Sequence, residues 1–200
     1  IGRFVGVYRM LYFIPYITSL VAVSWVWRWL YNSPQGFFND ALRALGLPTV
    51  SFLNSTTWAI YAIIAMTVWH NLGFQIIIWL AGLQAIPDVF QEAAAIDGAN
   101  AWQRFRHITL PLLNPTMVFL SVVGVISMLQ VFTQVRNMSS QGRGGPLDST
   151  MSLVLYTYLE GFDSLPSRLG YASAIVVVLF LIILAITIFQ LKVLQRRYEY

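Results

Sequence analysis

An all-α membrane protein is the fold class predicted for these 200 residues, and three observations predict it. Apolar residues make up 58% of the chain and charged residues 10%, against about 45–50% and about 25% in soluble domains. The mean hydropathy is +0.66. Charge-free stretches close to the roughly 20 residues needed to cross about 30 Å of hydrocarbon recur along the chain, and aromatic or basic clusters close two of them. Too few charges exist to cover a globule, so lipid must supply much of the solvent. The length suits one domain. With Cys at 0, thiolate metal sites, disulfides and cysteine nucleophiles are excluded. The net charge of +4 is dispersed, which suits loops beside anionic lipid and not a nucleic-acid groove. The chain opens Ile1-Gly2-Arg3-Phe4 with no initiator Met and no signal-peptide pattern, so further spans are expected upstream.

Four spans are predicted, at residues 10–31, 58–82, 113–135 and 169–191. The first lies between Arg9 and Arg28 and closes on Trp25, Trp27, Trp29 and Tyr31, as an interfacial aromatic belt does. The second follows the Ser/Thr/Asn-rich segment 51–57. The third starts after the breakers Pro111 and Pro115. The fourth ends in Lys192, Arg196 and Arg197. One side then carries Arg3, Arg9, Arg104, Arg106, Lys192, Arg196 and Arg197, and the other Arg28, Arg43, Arg136, Arg143 and Arg168. The excess places the first set in the cytoplasm. Arg28 reads as an interfacial snorkelling residue. Residues 136–150, with Gly142, Gly144, Gly145 and Pro146, read as a flexible outer loop in which Arg136 and Arg143 serve solubility.

The cytoplasmic loop 87–111 is long and amphipathic, where a plain polar connection would suffice. Pro87 starts a helix, Asp88 and Glu92 complement its positive end, and Gly98 ends it. Val89, Ala93 and Ile96 share one face, and a second short helix follows with Trp102, Phe105 and Thr109 on one side. It is expected to end at Leu110-Pro111. Small residues at Ala93, Ala94, Ala95 and Gly98 suit close docking into another protein, while an interfacial helix on lipid accounts equally for the pattern.

Glu92-Ala93-Ala94, then Gly98, then Ile108, Leu110 and Pro111 resembles the EAA signature of ABC importer permeases, with every fixed position at its required spacing. The wording around it resembles the maltose-type sugar-permease branch. Tyr12-Phe13-Ile14-Pro15, Trp27-Arg28-Trp29-Leu30-Tyr31-Asn32, and Gly144-Gly145-Pro146 with Ser149-Thr150 resemble further family segments. The resemblance implies a type I ABC importer transmembrane domain, a multi-pass protein of the bacterial cytoplasmic (inner) membrane. It implies a coupling hairpin formed by Glu92, Ala93, Ala94, Asp97, Gly98, Ile108, Leu110 and Pro111. It also implies a second permease subunit, two ATPase subunits that hold the ATP and Mg, and an external solute-binding protein. The chain itself would bind no cofactor. The cargo would be a sugar or related polyol, with glycerol phosphate or another small polar solute as the alternative.

Polar residues inside spans are costly and therefore informative. His70, Asn71 and Gln75 sit mid-helix, with Phe74 on the face of His70 and Asn71, and Ser127, Gln130 and Gln134 recur in the next span. Amides that take hydroxyls beside a ring that stacks on an apolar sugar face suit a polyol. Interhelical hydrogen bonding accounts for any one of these residues taken singly. The resemblance implies that His70, Asn71 and Phe74 contact solute, together with residues among Ser127, Met128, Gln130 and Val131. The two histidines, His70 and His107, lie far apart in sequence, so no metal site is expected. A membrane enzyme is disfavoured by the lack of HExxH, G-x-S-x-G or an intramembrane carboxylate pair, since Glu160 and Asp163 lie outside the spans. A secondary transporter or channel would want charge-lined helices, which are missing.

Overall fold

The computed structural model describes residues 5–33 and 35–194. Arg3, Arg196 and Arg197 of the charge count above lie outside them. The regular elements among the described residues are all helices, without strands, as backbone groups in lipid must be satisfied within each segment. Among the described residues, two helices are long and apolar enough to cross a membrane, α4 (Trp58–Gln84) and α11 (Leu169–Leu194). At 1.5 Å per residue each spans about 40 Å. Two bent pairs reach the same criterion only when each is taken as one.

The stretch predicted as a first span is one of these pairs. Helix α1 (Val5–Ile17) and helix α2 (Leu20–Leu30) meet at 93°. Pro15 inside α1 lacks the N–H that would continue the ladder. Thr18 then turns its hydroxyl back onto the Ile14 carbonyl at 2.9 Å, a bond that competes with straight helix. The chain is consequently redirected at Thr18-Ser19. The other pair is residues 101–112 followed by α8 (Asn114–Leu129), bent by 59°.

The chain forms two compact units. One comprises, of the described residues, 5–33, 35–73 and 128–181. Its core joins Val23 of α2 with Tyr31 at its C-cap, Leu53 of the segment before α4, Ala62, Ile63 and Met66 of α4, Val135 and Met138 of α9 (Thr133–Met138), and Leu155 of α10 (Leu153–Tyr158). Trp27 and Tyr31 point inward, toward Phe38 of α3 (Phe37–Ala44) at 5.9 and 4.9 Å between ring centroids. Trp25 and Trp29 remain exposed, so only half of the expected aromatic belt faces outward. Asn39 is fully buried and tethers the segment before α4. Its amide donates to the Val50 carbonyl at 2.9 Å and accepts from the Val50 N–H at 2.8 Å.

Arg136 corrects the expectation of a loop solubiliser. It donates to the Gly142 carbonyl at 3.0 Å and to Asp163 at 3.2 Å, and lies 5.0 Å over the Tyr158 ring. Asp163 sits in a π-turn, Leu159–Asp163, that continues α10. The outer loop is thereby cross-braced, not loose. The second unit comprises residues 74–127 and 182–194. In it Asn114 donates to the Leu194 carbonyl at 3.0 Å and Gln190 to the Ser121 carbonyl at 3.3 Å, joining α8 to α11.

Candidate functional site

In the second unit, α5 (Asp88–Ile96) begins after Pro87, which stands at the cap position in extended geometry. It ends in a Schellman turn: the Ala99 N–H bonds the Ala94 carbonyl at 2.9 Å and the Gly98 N–H the Ala95 carbonyl at 3.1 Å. Gly98 sits at φ +78°, in the left-handed region where a Cβ is disfavoured. Asn100 then caps α6 (Ala101–Arg104) through a reciprocal box with Gln103, both bonds 2.9 Å. Gln91 donates to the Thr109 hydroxyl at 3.0 Å and pins the two arms together.

The returning arm does not stop at Leu110-Pro111 as expected. A π-turn, Phe105–Thr109, passes into α7 (Leu110–Leu112), which carries Pro111. Proline cannot donate to the turn before it, and the wide π geometry accommodates that gap. Ile108 and Pro111 are half-buried on this arm, and Leu110 is exposed.

The outer surface of the hairpin is bare. Val89, Ile96 and Trp102 are 61%, 87% and 66% exposed. Glu92, Ala93, Asp97 and Gly98 are also exposed, and Ala94 is half-buried. Nothing lies within 4 Å of a Cβ built on Gly98. No ion pair occupies Glu92 among the described residues. The hairpin is stiff, apolar, and carries an uncommitted carboxylate. Those are the properties of a docking element.

The first unit holds a recess of about 360 Å³. One wall is a single face of α4, with Ile60, Ile63, Ile64 and Thr67. The opposite wall is Met128, Val131 and the segment Ser149, Thr150 and Ser152. Helix α8 was expected to run on to residue 135, but it stops at Leu129, and residues 130–132 are not helical. No proline or glycine marks the break. Instead the Ser152 hydroxyl donates to the freed Val131 carbonyl at 2.6 Å and accepts the Leu155 N–H at 3.1 Å, capping α10. The break turns Met128 and Val131 into the recess.

The predicted solute residues divide accordingly. Met128 and Val131 line the recess, whereas Ser127 and Gln130 are exposed and do not line it. His70 is buried, 3.5 Å from the Thr18 carbonyl and with its ring 5.8 Å from that of Tyr16. It serves the break between α1 and α2. Asn71 bonds back to the Thr67 carbonyl at 2.8 Å. At about 100° per residue, Asn71 and Phe74 continue the α4 face on which Ile60 and Thr67 stand, while His70 sits at its edge. Ser149 and Thr150 were missed as site residues. Both have buried hydroxyl oxygens without a partner among the described residues, and Thr150 is 4% exposed. Their signal was the Gly144-Gly145-Pro146 turn just before them. None of the recess-lining residues is charged.

The profile of a family described as "Binding-protein-dependent transport system inner membrane component" matches residues 3–200. The chain is similar to the lactose transport system permease protein LacF of Rhizobium radiobacter, at 34% identity over 98% of this chain and 65% of LacF. It is similar to the trehalose/maltose transport system permease protein MalF of Thermococcus litoralis, at 37% identity over 94% of this chain and 62% of MalF. The chain thus spans less than two thirds of these relatives. Among solved structures, a bacterial alginate ABC transporter in complex with an alginate pentasaccharide-bound periplasmic protein superposes with a TM-score of 0.81 at 26% identity. That superposition covers 92% of this chain and 63% of its counterpart.

Proposed function

This chain belongs to the family of binding-protein-dependent transport system inner membrane components, and from that membership we propose that it is the membrane core of a permease subunit in an ATP-driven sugar importer. The observation that carries the reading is the hairpin of residues 87–111, closed by the Schellman turn at Gly98 and bare on its apolar face. An exposed, internally braced apolar face marks an interaction surface, and the Glu92 carboxylate at its tip, unpaired among the described residues, favours a protein groove over lipid. In this reading the partner is an ATPase subunit, two of which bind the ATP and Mg. Glu92, Ala93, Ala94, Asp97 and Gly98 form the tip that enters the ATPase groove, and Ile108, Leu110 and Pro111 carry the motion back into the α8 end. ATP binding closes the ATPase pair and moves each hairpin as a rigid lever, so that the spans rock between outward and inward access. This chain catalyses nothing.

The recess is the solute-contacting part of the path, continued along α4 by Asn71. Its lining combines apolar surface with the Thr67, Ser149 and Thr150 hydroxyls, a set that suits sugar hydroxyls. The absence of a cation from that lining favours a neutral sugar or polyol over glycerol phosphate. A solute-binding protein outside the inner membrane delivers the cargo, and a second permease subunit completes the pore. The test is uptake of labelled disaccharides and glycerol 3-phosphate into proteoliposomes holding the assembled transporter, with ATP inside and binding protein outside. ATP-dependent accumulation of a neutral sugar is expected. Uptake that proceeds equally without ATP refutes an ATP-driven importer, and uptake of the phosphate alone refutes the assignment of the recess.

A further inference from the structure

A second concavity in the first unit, about 370 Å³ in volume, has a different chemistry from the solute recess. The Arg28 guanidinium lies in it, 5.0 Å over the Trp25 indole, with Trp29 beside it. One N–H, Nη1, donates to the Asn137 carbonyl at 3.0 Å, and no acidic side chain pairs with Arg28 among the described residues. Asn32, Asn54 and Ser140 complete the polar rim, and no Asp or Glu lines it. A cation with spare N–H groups, neutral donors around it and no carboxylate is an oxyanion receptor.

The setting says which oxyanion. Helix α2 has 11 residues and is about 16 Å long, too short to cross a bilayer alone. It leaves α1 at 93°. Its inner face, Val23, Trp27 and Tyr31, belongs to the core. Its outer face is Val21, Trp25 and Trp29, spaced by four residues and 49%, 54% and 61% exposed. That apolar stripe leads directly to Arg28. An anion with an attached hydrocarbon fits the whole feature, because the head meets the guanidinium and a tail lies along the stripe. Indole and arginine at one level of a helix are also the composition of the headgroup region.

We propose that this pocket binds the phosphate of an anionic phospholipid, held by Arg28 with Asn32, Asn54 and Ser140, its acyl chain along Val21, Trp25 and Trp29. The proposal rests on the chain being embedded in a bilayer and not on what it transports. The test is native mass spectrometry of the assembled transporter taken from nanodiscs of phosphatidylcholine with phosphatidylglycerol. Retention of phosphatidylglycerol over phosphatidylcholine is expected, falling about tenfold in Arg28→Gln and less in Arg28→Lys. Millimolar inorganic phosphate should not displace it. Equal retention in wild type and Arg28→Gln overturns the proposal. Displacement by inorganic phosphate also overturns it, and marks a soluble-anion site instead. Exclusion of lipid from the pocket on assembly overturns it too, and marks a subunit interface. If Arg28→Gln fails to assemble, the double variant Asn54→Leu, Ser140→Val leaves the Arg28–Asn137 bond intact. It should lose retention several-fold, and unchanged retention refutes the site. ATP-driven uptake measured on the same samples reports separately on the transport reading.

Discussion

Replacing Ser152 by alanine removes one oxygen that holds two things in place. The hydroxyl caps α10 by accepting the Leu155 N–H at 3.1 Å, and it donates to the Val131 carbonyl at 2.6 Å. Loss of an N-cap costs about 1 kcal/mol. An orphaned carbonyl beside a half-buried strand of backbone costs about 1 kcal/mol more. The expected destabilisation is about 2 kcal/mol, and the break after Leu129 is expected to relax toward helix, which would swing Met128 and Val131 away from the recess. Thermal unfolding of the purified transporter in detergent reads the first effect, and sugar uptake at limiting concentration reads the second. Ser152→Thr should restore both, since threonine caps and donates alike. Should Ser152→Ala unfold at the wild-type temperature with unchanged uptake, the break at residues 130–132 is held by something other than this hydroxyl.

Asn39→Ala should cost about 2–4 kcal/mol, because the N–H and carbonyl of Val50 lose their partner in a buried site; unfolding curves measure it, and a change under 1 kcal/mol contradicts the assignment. Gly73→Val should fail to fold or express poorly. A Cβ at Gly73 collides with the Tyr12 carbonyl and lies 2.8 Å from the Phe13 Cα, both of them backbone, so neither can move aside cheaply. Gly98→Ala should cost about 1–2 kcal/mol in the turn alone, since its Cβ meets nothing and only the left-handed φ is penalised. Gly98→Asn should be nearly silent in stability, and equal losses for both would show that the turn geometry is not the cause.

The sequence was most informative where lipid or a chain terminator wrote a strong signal. A charge-free run such as 169–191 contrasts with everything around it, so α11 was evident from composition. Pro87 and Gly98 announced the ends of α5 because each forbids a backbone alternative. The 93° turn at Thr18-Ser19 was only half-signalled: Pro15 weakens the ladder visibly, but the Thr18 side-chain bond that completes the bend leaves no mark in an apolar run. The end of α8 was hidden for a different reason: Gln130-Val131-Phe132 contains no breaker, and a hydroxyl 21 residues away stabilises the break. Arg136 illustrates the same limit. Its partners Gly142 and Asp163 are tertiary, so local reading left it as a loop charge. Among the site residues, Met128 and Val131 reach the recess through that unforeseen break. His70 was singled out as a polar residue in a span and through the resemblance, and it packs against the bend between α1 and α2.

The measurement that bears most directly on the account is ATP hydrolysis by the reconstituted transporter, with and without sugar-loaded binding protein, comparing wild type with Gly98→Trp. The wild type should be stimulated by the loaded binding protein. Gly98→Trp should assemble poorly with the ATPase or lose that stimulation, because the indole would project from an open, exposed tip into the partner's groove. Intact assembly and full stimulated turnover in Gly98→Trp would contradict the claim that residues 87–111 couple this chain to its ATPase.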